Sequence, residues 1–200
     1  MASAYAGTVP EIESDALTTF IEALPTHCPH LKELKLSRNN LGVPGAKALG
    51  KVMSKLTQNK TDFRLYLDQA KLGDEGVCAF TQSLDGACHL SVLDLQSNGI
   101  HAAGVSCLAD SICKGKIILT ENKSSSSSQY VDITSSLYLS YNSLGLKGVI
   151  TVAELIKHVC LMKFGLNLSR CQLTKVGGHL SNTNPVDSLT GIIRDIFGLR

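Results

Sequence analysis

The chain has 200 residues, 44% of them hydrophobic and 18% charged, which supplies apolar material for one or at most two packed domains. A formal net charge of +2, with no basic stripe, argues against a dedicated nucleic-acid binder. Trp is absent and aromatics make up 5%, so the core is expected to be aliphatic and built from small repeated units.

The first residues, MASAYAGTVPEIESDAL, lack the basic and apolar regions of a signal peptide, and no stretch approaches the roughly 18 apolar residues of a membrane span. Cys28, Cys78, Cys88, Cys107, Cys113, Cys160 and Cys171 are odd in number and show no CxxC pairing. The expectation is a soluble, cytoplasmic protein with reduced thiols, no membrane partner and chance matches at the sequons of Asn59, Asn122 and Asn167.

In chain order, ALTTFIEAL carries Leu17, Phe20, Ile21 and Leu24 at helical spacing and is read as the helical half of a first, partial unit. THCPH follows, with His27, Cys28 and His30 where that helix gives way to a strand. No second ligand pair accompanies it at a useful spacing, so no metal is expected, and His158 with Cys160 at the equivalent later junction is read the same way.

LKELKLSRNNLGVPGAKAL then begins at Leu31, and its frame LxxLxLxxNx(L/I)xxxGxxxL returns in LSVLDLQSNGIHAAGVSCL from Leu90. A third close copy keeps Leu137, Leu139, Asn142, Leu144 and Gly148 in place. Two weaker copies have Leu65, Leu67, Leu72 and Gly76 with Ala70 at the Asn position, and Leu166, Leu168, Leu173 and Gly177 with Cys171 there.

Each part of the frame has a physical reason. LxL is a short strand with its two leucines inward and the residue between them outward. The chain must turn three positions later, where an Asn can bond backbone groups of its own and the adjacent turn. Asn39, Asn98 and Asn142 are expected to form such a ladder, with Cys171 as a weaker substitute; Ala70 has no side-chain donor, so the second unit is expected to have the least regular turn. The frame's Gly is read as opening a helix such as GAKALGKVMSKL, with Ala46, Leu49, Val52, Met53 and Leu56 on one face. One such coil cannot bury its own apolar face, so the coils must stack into a curved right-handed α/β solenoid with parallel strands on the concave side and helices on the convex side.

The step between units is 28 residues from Leu67 to Leu95 but 44 from Leu95 to Leu139, an excess of 16. Removing 117–132, with its five serines, restores the phase, so this segment is read as a loop inserted in one domain spanning 1–200, not as a linker. Ile117, Leu119 and Asn122 themselves mimic LxLxxN, which leaves open a vestigial strand, or a competition between IIL and LYL for the slot in the sheet. Beyond Gly178 the frame fails, and Leu189, Ile192, Ile193 and Ile196 predict a capping helix over 186–200. The whole is about five units plus the partial first one.

This pattern, with a repeat near 28 residues over about 7–180, resembles the ribonuclease-inhibitor subtype of leucine-rich repeats. In style it is most similar to the repeat region of NOD-like receptors, without their phosphate-binding loop, and the resemblance implies a sensing or scaffold role in innate immunity. Ran GTPase-activating proteins are similar too, and imply an alternative: a regulator of a small GTPase. Their acidic tail is missing here.

No nucleophile elbow, Cys-His signature or dinucleotide fingerprint occurs, so no catalytic residue and no cofactor are expected. Cys78, Cys107 and Cys113 are read as small buried hydrophobes on helix faces. The outward strand positions fall in three columns: Glu33, Arg64, Val92, Ser136 and Gly165; Lys35, Tyr66, Asp94, Tyr138 and Asn167; Ser37, Asp68, Gln96, Ser140 and Ser169. Their mixed charge suits a protein partner better than nucleic acid or a phosphate-rich ligand. Lys35, Arg64, Tyr66, Asp68, Asp94, Gln96, Tyr138 and Asn167 are the expected binding residues, with Tyr66 and Tyr138 as anchors. The sequence sets neither the partner's identity nor an oligomeric state.

Overall fold

In the computed structural model, which describes residues 3–5, 14–58, 62–120, 137–158 and 166–171, every described LxL motif lies in or against a short parallel strand. The order is β1 (Ser3–Tyr5), α1 (Ser14–His27), β2 (Glu33–Lys35), α2 (Gly42–Thr57), β3 (Arg64–Tyr66), α3 (Gly73–Gln82), β4 (Cys88–Leu90), β5 (Val92–Asp94), α4 (Ala102–Cys113), β6 (Ile117–Leu119), β7 (Leu137–Tyr138), α5 (Gly145–His158) and β8 (Leu166–Asn167). Among the described residues six strands form one parallel sheet in the order β1-β2-β3-β5-β7-β8, and five helices pack each against the next in sequence. This is the expected leucine-rich repeat solenoid. The first unit is fuller than the sequence implied, because Ser3–Tyr5 pairs in register with Glu33–Lys35 ahead of α1.

Register turns the repeat into a core. Leu34, Leu65, Leu93, Leu137 and Leu166 are successive partners across the sheet, and the first four are 0% exposed. Leu49, Met53 and Leu56 meet them from α2, Val77 and Phe80 from α3, Val105 and Leu108 from α4, and Val149 and Val152 from α5. Each such side chain contributes about 1.5–3 kcal/mol by leaving water, and cutting one of the leucines to Ala costs about 3–5 kcal/mol once the cavity is included.

The frame's Gly does not open the helix. α2, α3 and α5 begin three residues earlier, at Gly42, Gly73 and Gly145. The repeated Gly sits where a helix meets the coil before it: a Cβ on Gly104 would lie 2.6 Å from Asp74 Oδ1 and 3.2 Å from Asp74 Cα. Asp74, in the first turn of α3, instead accepts hydrogen bonds there from the backbone N–H of His101 (2.7 Å) and Gly104 (2.9 Å), capping the start of α4 from the neighbouring unit. Negative charge at a helix start is favourable, and this one also ties two units together.

The excess of the long step falls elsewhere than expected. β6 pairs with β4, Cys88 opposite Ile117, as a second, two-stranded sheet, while Leu137 takes the place beside Leu93 in the main sheet. Ile117–Leu119 is therefore the counterpart of Cys88–Leu90, not the start of a loop. From β4 to β6 the step is 29, close to the ordinary 28, so nearly all the extra length lies between Leu119 and Leu137. Residues 121–136 and the expected cap at 186–200 lie outside the described residues.

The cysteines also differ from expectation. Cys78 on α3 and Cys107 on α4 are half-buried, with Cα atoms 5.3 Å apart, and form a disulfide rather than two buried thiols. Cys113 is exposed. Cys88 and Cys171 are the buried thiols among the described residues, and Cys88 is pushed up to about 12 by desolvation, which makes it unreactive. Among the described residues no helix is long and apolar enough to cross a membrane.

Candidate functional site

The turns that hold the strands in register come first, because they fix where the outward side chains stand. Asn98 is 4% exposed; its Oδ1 accepts from the N–H of Ala70 (2.9 Å) and Leu72 (3.3 Å), and its Nδ2 donates to Leu67 O (2.8 Å) and Gln96 O (3.0 Å). Asn142 repeats this one unit on, accepting from Asn98 N–H and Ile100 N–H and donating to Leu95 O and Leu139 O. Asn39 donates to Leu36 O and Ser37 O within its own turn. Cys171 places its thiol 3.2 Å from Leu139 O, where an Asn amide would donate, and takes a bond from the Asn142 backbone.

At Ala70 no side chain reaches back, and the Leu41 N–H is taken by the Ala70 backbone carbonyl at 3.1 Å. That turn needs left-handed backbone at Gln69 (φ 56°), Lys71 (φ 53°) and Gly73 (φ 58°), one more such residue than the turns around Asn39, Asn98 and Asn142. Two of the three carry a Cβ, which makes it the most strained of the described turns.

On the strands so aligned, Lys35, Tyr66, Asp94, Tyr138 and Asn167 are successive partners across β2, β3, β5, β7 and β8. Strand neighbours stand about 4.8 Å apart, so this is one continuous row. Arg64 lies one step away in the partner position to Glu33, and Asp68 and Gln96 follow the ends of β3 and β5. Ser136 and Gly165 lie outside the described residues.

The row divides electrostatically. At one end Glu33 holds both cations, with Lys35 Nζ at 2.7 Å and Arg64 Nε at 3.5 Å. The bond to Glu33 raises Lys35 above its usual value, and the ammonium sits 5.3 Å from the Tyr66 ring centre, within cation–π range.

Asp94, expected to point freely outward, is 7% exposed. It lies between the half-buried Tyr66 and Tyr138, and Gln96 bonds both its oxygens, backbone N–H to Oδ1 and Nε2 to Oδ2, each at 3.0 Å. Desolvation pushes the Asp94 carboxyl above its usual range, and the nearby Asp68 charge adds to that, while the two Gln96 bonds oppose it. Burial likewise raises Tyr66 and Tyr138, so both phenols stay neutral.

Ser37 and Ser140, outward positions of the third column outside the expected binding set, complete the arrangement. Ser140 Oγ donates to Gln96 Oε1 at 2.7 Å, which turns the Gln96 amide toward Asp94, and Ser37 Oγ donates to Asp68 Oδ1. Their signal was column membership: each sits beside the row, one strand away from its partner. Asn167 is self-contained, its Oδ1 accepting from Ser169 N–H and Oγ.

The arrangement can bind but shows no nucleophile set against a base. His27, Cys28 and His30 do not come together as a ligand set, and no group of three or more His, Cys, Asp or Glu placed to hold a metal occurs among the described residues. Cys160 lies outside them.

Comparison with known proteins agrees with the repeats. Residues 27–50 and 86–109 match the Leucine Rich repeat family. A stretch of 78 residues is 44% identical to leucine-rich repeat-containing protein 45 of Gallus gallus, covering 37% of this chain and 11% of that protein's length. Among solved structures, the Leiomodin-1 Actin-Binding Site 2 (ABS2) aligns with a TM-score of 0.55 at 15% identity, over 95% of this chain and 92% of that one. At that identity the likeness shows a shared fold.

Proposed function

We propose that this leucine-rich repeat array is a non-catalytic protein-interaction module that recognises its partner through the concave strands. The observation that carries the reading is the in-register row Lys35, Tyr66, Asp94, Tyr138 and Asn167. Two half-buried tyrosines on a rigid sheet give large contact area at little entropic cost, which is how a few residues dominate a protein interface. The finer comparison, with the ribonuclease-inhibitor subtype and the sensing repeats of NOD-like receptors, rests on the sequence frame alone. A cytoplasmic setting belongs to this reading, and the Cys78–Cys107 disulfide runs against it, since persistent disulfides belong to oxidising compartments.

Tyr66→Ala with Tyr138→Ala should weaken partner capture by about 2 kcal/mol or more while leaving the helical circular dichroism unchanged. Normal capture by the folded double variant refutes the reading. Two narrower partners are assayed alongside. The fold likeness to an actin-binding site motivates co-sedimentation with filamentous actin. Single-turnover GTP hydrolysis against a panel of small GTPases separates a binding module, which gives no acceleration, from a GTPase regulator.

A further inference from the structure

We propose that Tyr66, Asp94 and Tyr138 form a receptor for one basic side chain, Lys or Arg, presented by the protein partner; this rests on the concave-face reading above and names the chemistry it selects.

The first support is a charge with no counter-charge. Asp94 is 7% exposed, and among the described residues the hydrogen bonds to its carboxylate come from Gln96 alone. A buried carboxylate without a cation is costly and is ordinarily paired. The nearby cations are committed elsewhere, since Lys35 and Arg64 are both drawn to Glu33 at the other end of the row. Asp68 adds a second negative charge close enough to disfavour ionised Asp94. An incoming cation relieves both costs.

The second support is the shape and chemistry of the walls. A carboxylate offers about four lone-pair sites, and Gln96 takes one on each oxygen, so each oxygen can accept a further bond. Tyr66 and Tyr138 occupy the partner positions on the two strands flanking Asp94, two strand spacings or roughly 9–10 Å apart. Tyrosine rings attract cations, and Tyr66 already does this for Lys35.

Alternatives fit less well. An acidic group would meet Asp68 and Asp94, and an apolar one would seal Asp94 without a partner. A metal ion lacks ligands, since no group of three candidate ligands occurs among the described residues.

The test uses the full chain and three peptides of equal length: hexa-arginine, hexa-citrulline as its neutral isostere, and hexa-glutamate. Binding is followed by NMR through the ring resonances of Tyr66 and Tyr138. Hexa-arginine should shift both rings, and Asp94→Asn should weaken its binding by about tenfold or more, the factor expected when a charge-assisted bond is lost. Asp68→Asn, outside the triplet, should weaken it by about two- to threefold, and Asp62→Asn, a surface acid paired with Lys32, should leave it unchanged. Equal binding of the citrulline peptide, shifts confined to other residues, or an Asp94→Asn affinity within twofold of wild type overturns the proposal. If Asp94→Asn keeps native partner capture that the double tyrosine variant loses, the basic side chain is refuted while the concave face stands as the binding surface.

Discussion

Replacing Asn98 with Ala tests whether the turn ladder, rather than the leucine core alone, holds neighbouring units in register. Asn98 Oδ1 accepts from two buried N–H groups of the preceding unit, Ala70 and Leu72, and Ala supplies no acceptor for either. Each orphaned buried donor costs about 1–3 kcal/mol, so the loss for the two is expected at about 2–6 kcal/mol, a large share of the roughly 5–15 kcal/mol that holds a typical domain. With a urea slope near 2 kcal/mol/M, the unfolding midpoint followed by far-UV circular dichroism should fall by about 1–3 M. Hydrogen exchange supplies the local readout: the Ala70 and Leu72 amides should exchange faster at concentrations of urea where the Leu49 amide is still protected. Asn142→Ala should behave alike, because its Oδ1 serves Asn98 N–H and Ile100 N–H in the same way. A loss below about 1 kcal/mol, with Ala70 and Leu72 still protected, would refute the reasoning.

Two further outcomes follow from the same structure. Reducing the Cys78–Cys107 bond, or replacing Cys107 with Ser, should cost up to about 3.5 kcal/mol on the chain-entropy account of a closure with sequence separation 29; alkylation of both thiols without reductant, read by mass spectrometry, would show the bond absent. Asp94 binds its proton more tightly folded than unfolded, so its contribution to stability falls as pH rises from the unfolded value through the raised folded one. Asp94→Asn should therefore gain stability over wild type at pH 7, and thermal melts should show that gain shrinking as pH is lowered toward 4; a pH-independent difference would contradict the assignment.

The solenoid was legible because its cause is written in the sequence: leucines at fixed spacing bury only if successive coils stack. The residues flanking Asp94 were legible for the same reason, since counting from each LxL gives the row that the register shows. Its burial was not. Strand alternation says only that Asp94 points away from the leucines; whether water reaches it depends on how far Tyr66 and Tyr138 extend and on Gln96 turning back, which are rotamer facts. The disulfide was missed for a different reason. Cys78 lies two residues past Gly76 and Cys107 three past Gly104, a difference that obscures their match in a linear frame, yet on packed neighbouring helices it brings their Cα atoms within 5.3 Å.

The long step shows how a repeat array absorbs extra chain without losing phase. Extra length inside a helix or between an Asn and its helix would displace the apolar face and break the ladder. Here the chain finishes α4, pairs β6 with β4 at nearly the ordinary interval, and places the added length before β7, which pairs beside β5. The added length lies between two strands that are each already fixed, β6 by Cys88–Leu90 and β7 by Leu93 and Asp94, and the closure entropy of a connection grows only slowly with its length. Tyr138 stands in β7, beside Asp94. One wall of the candidate receptor, Tyr138, thus stands on the strand that follows the added length, while β4, β5 and β6 keep their own pairing. Deleting 122–131 should accordingly leave the far-UV circular dichroism intact, and any effect on hexa-arginine binding should appear in the Tyr138 ring shift before the Tyr66 one.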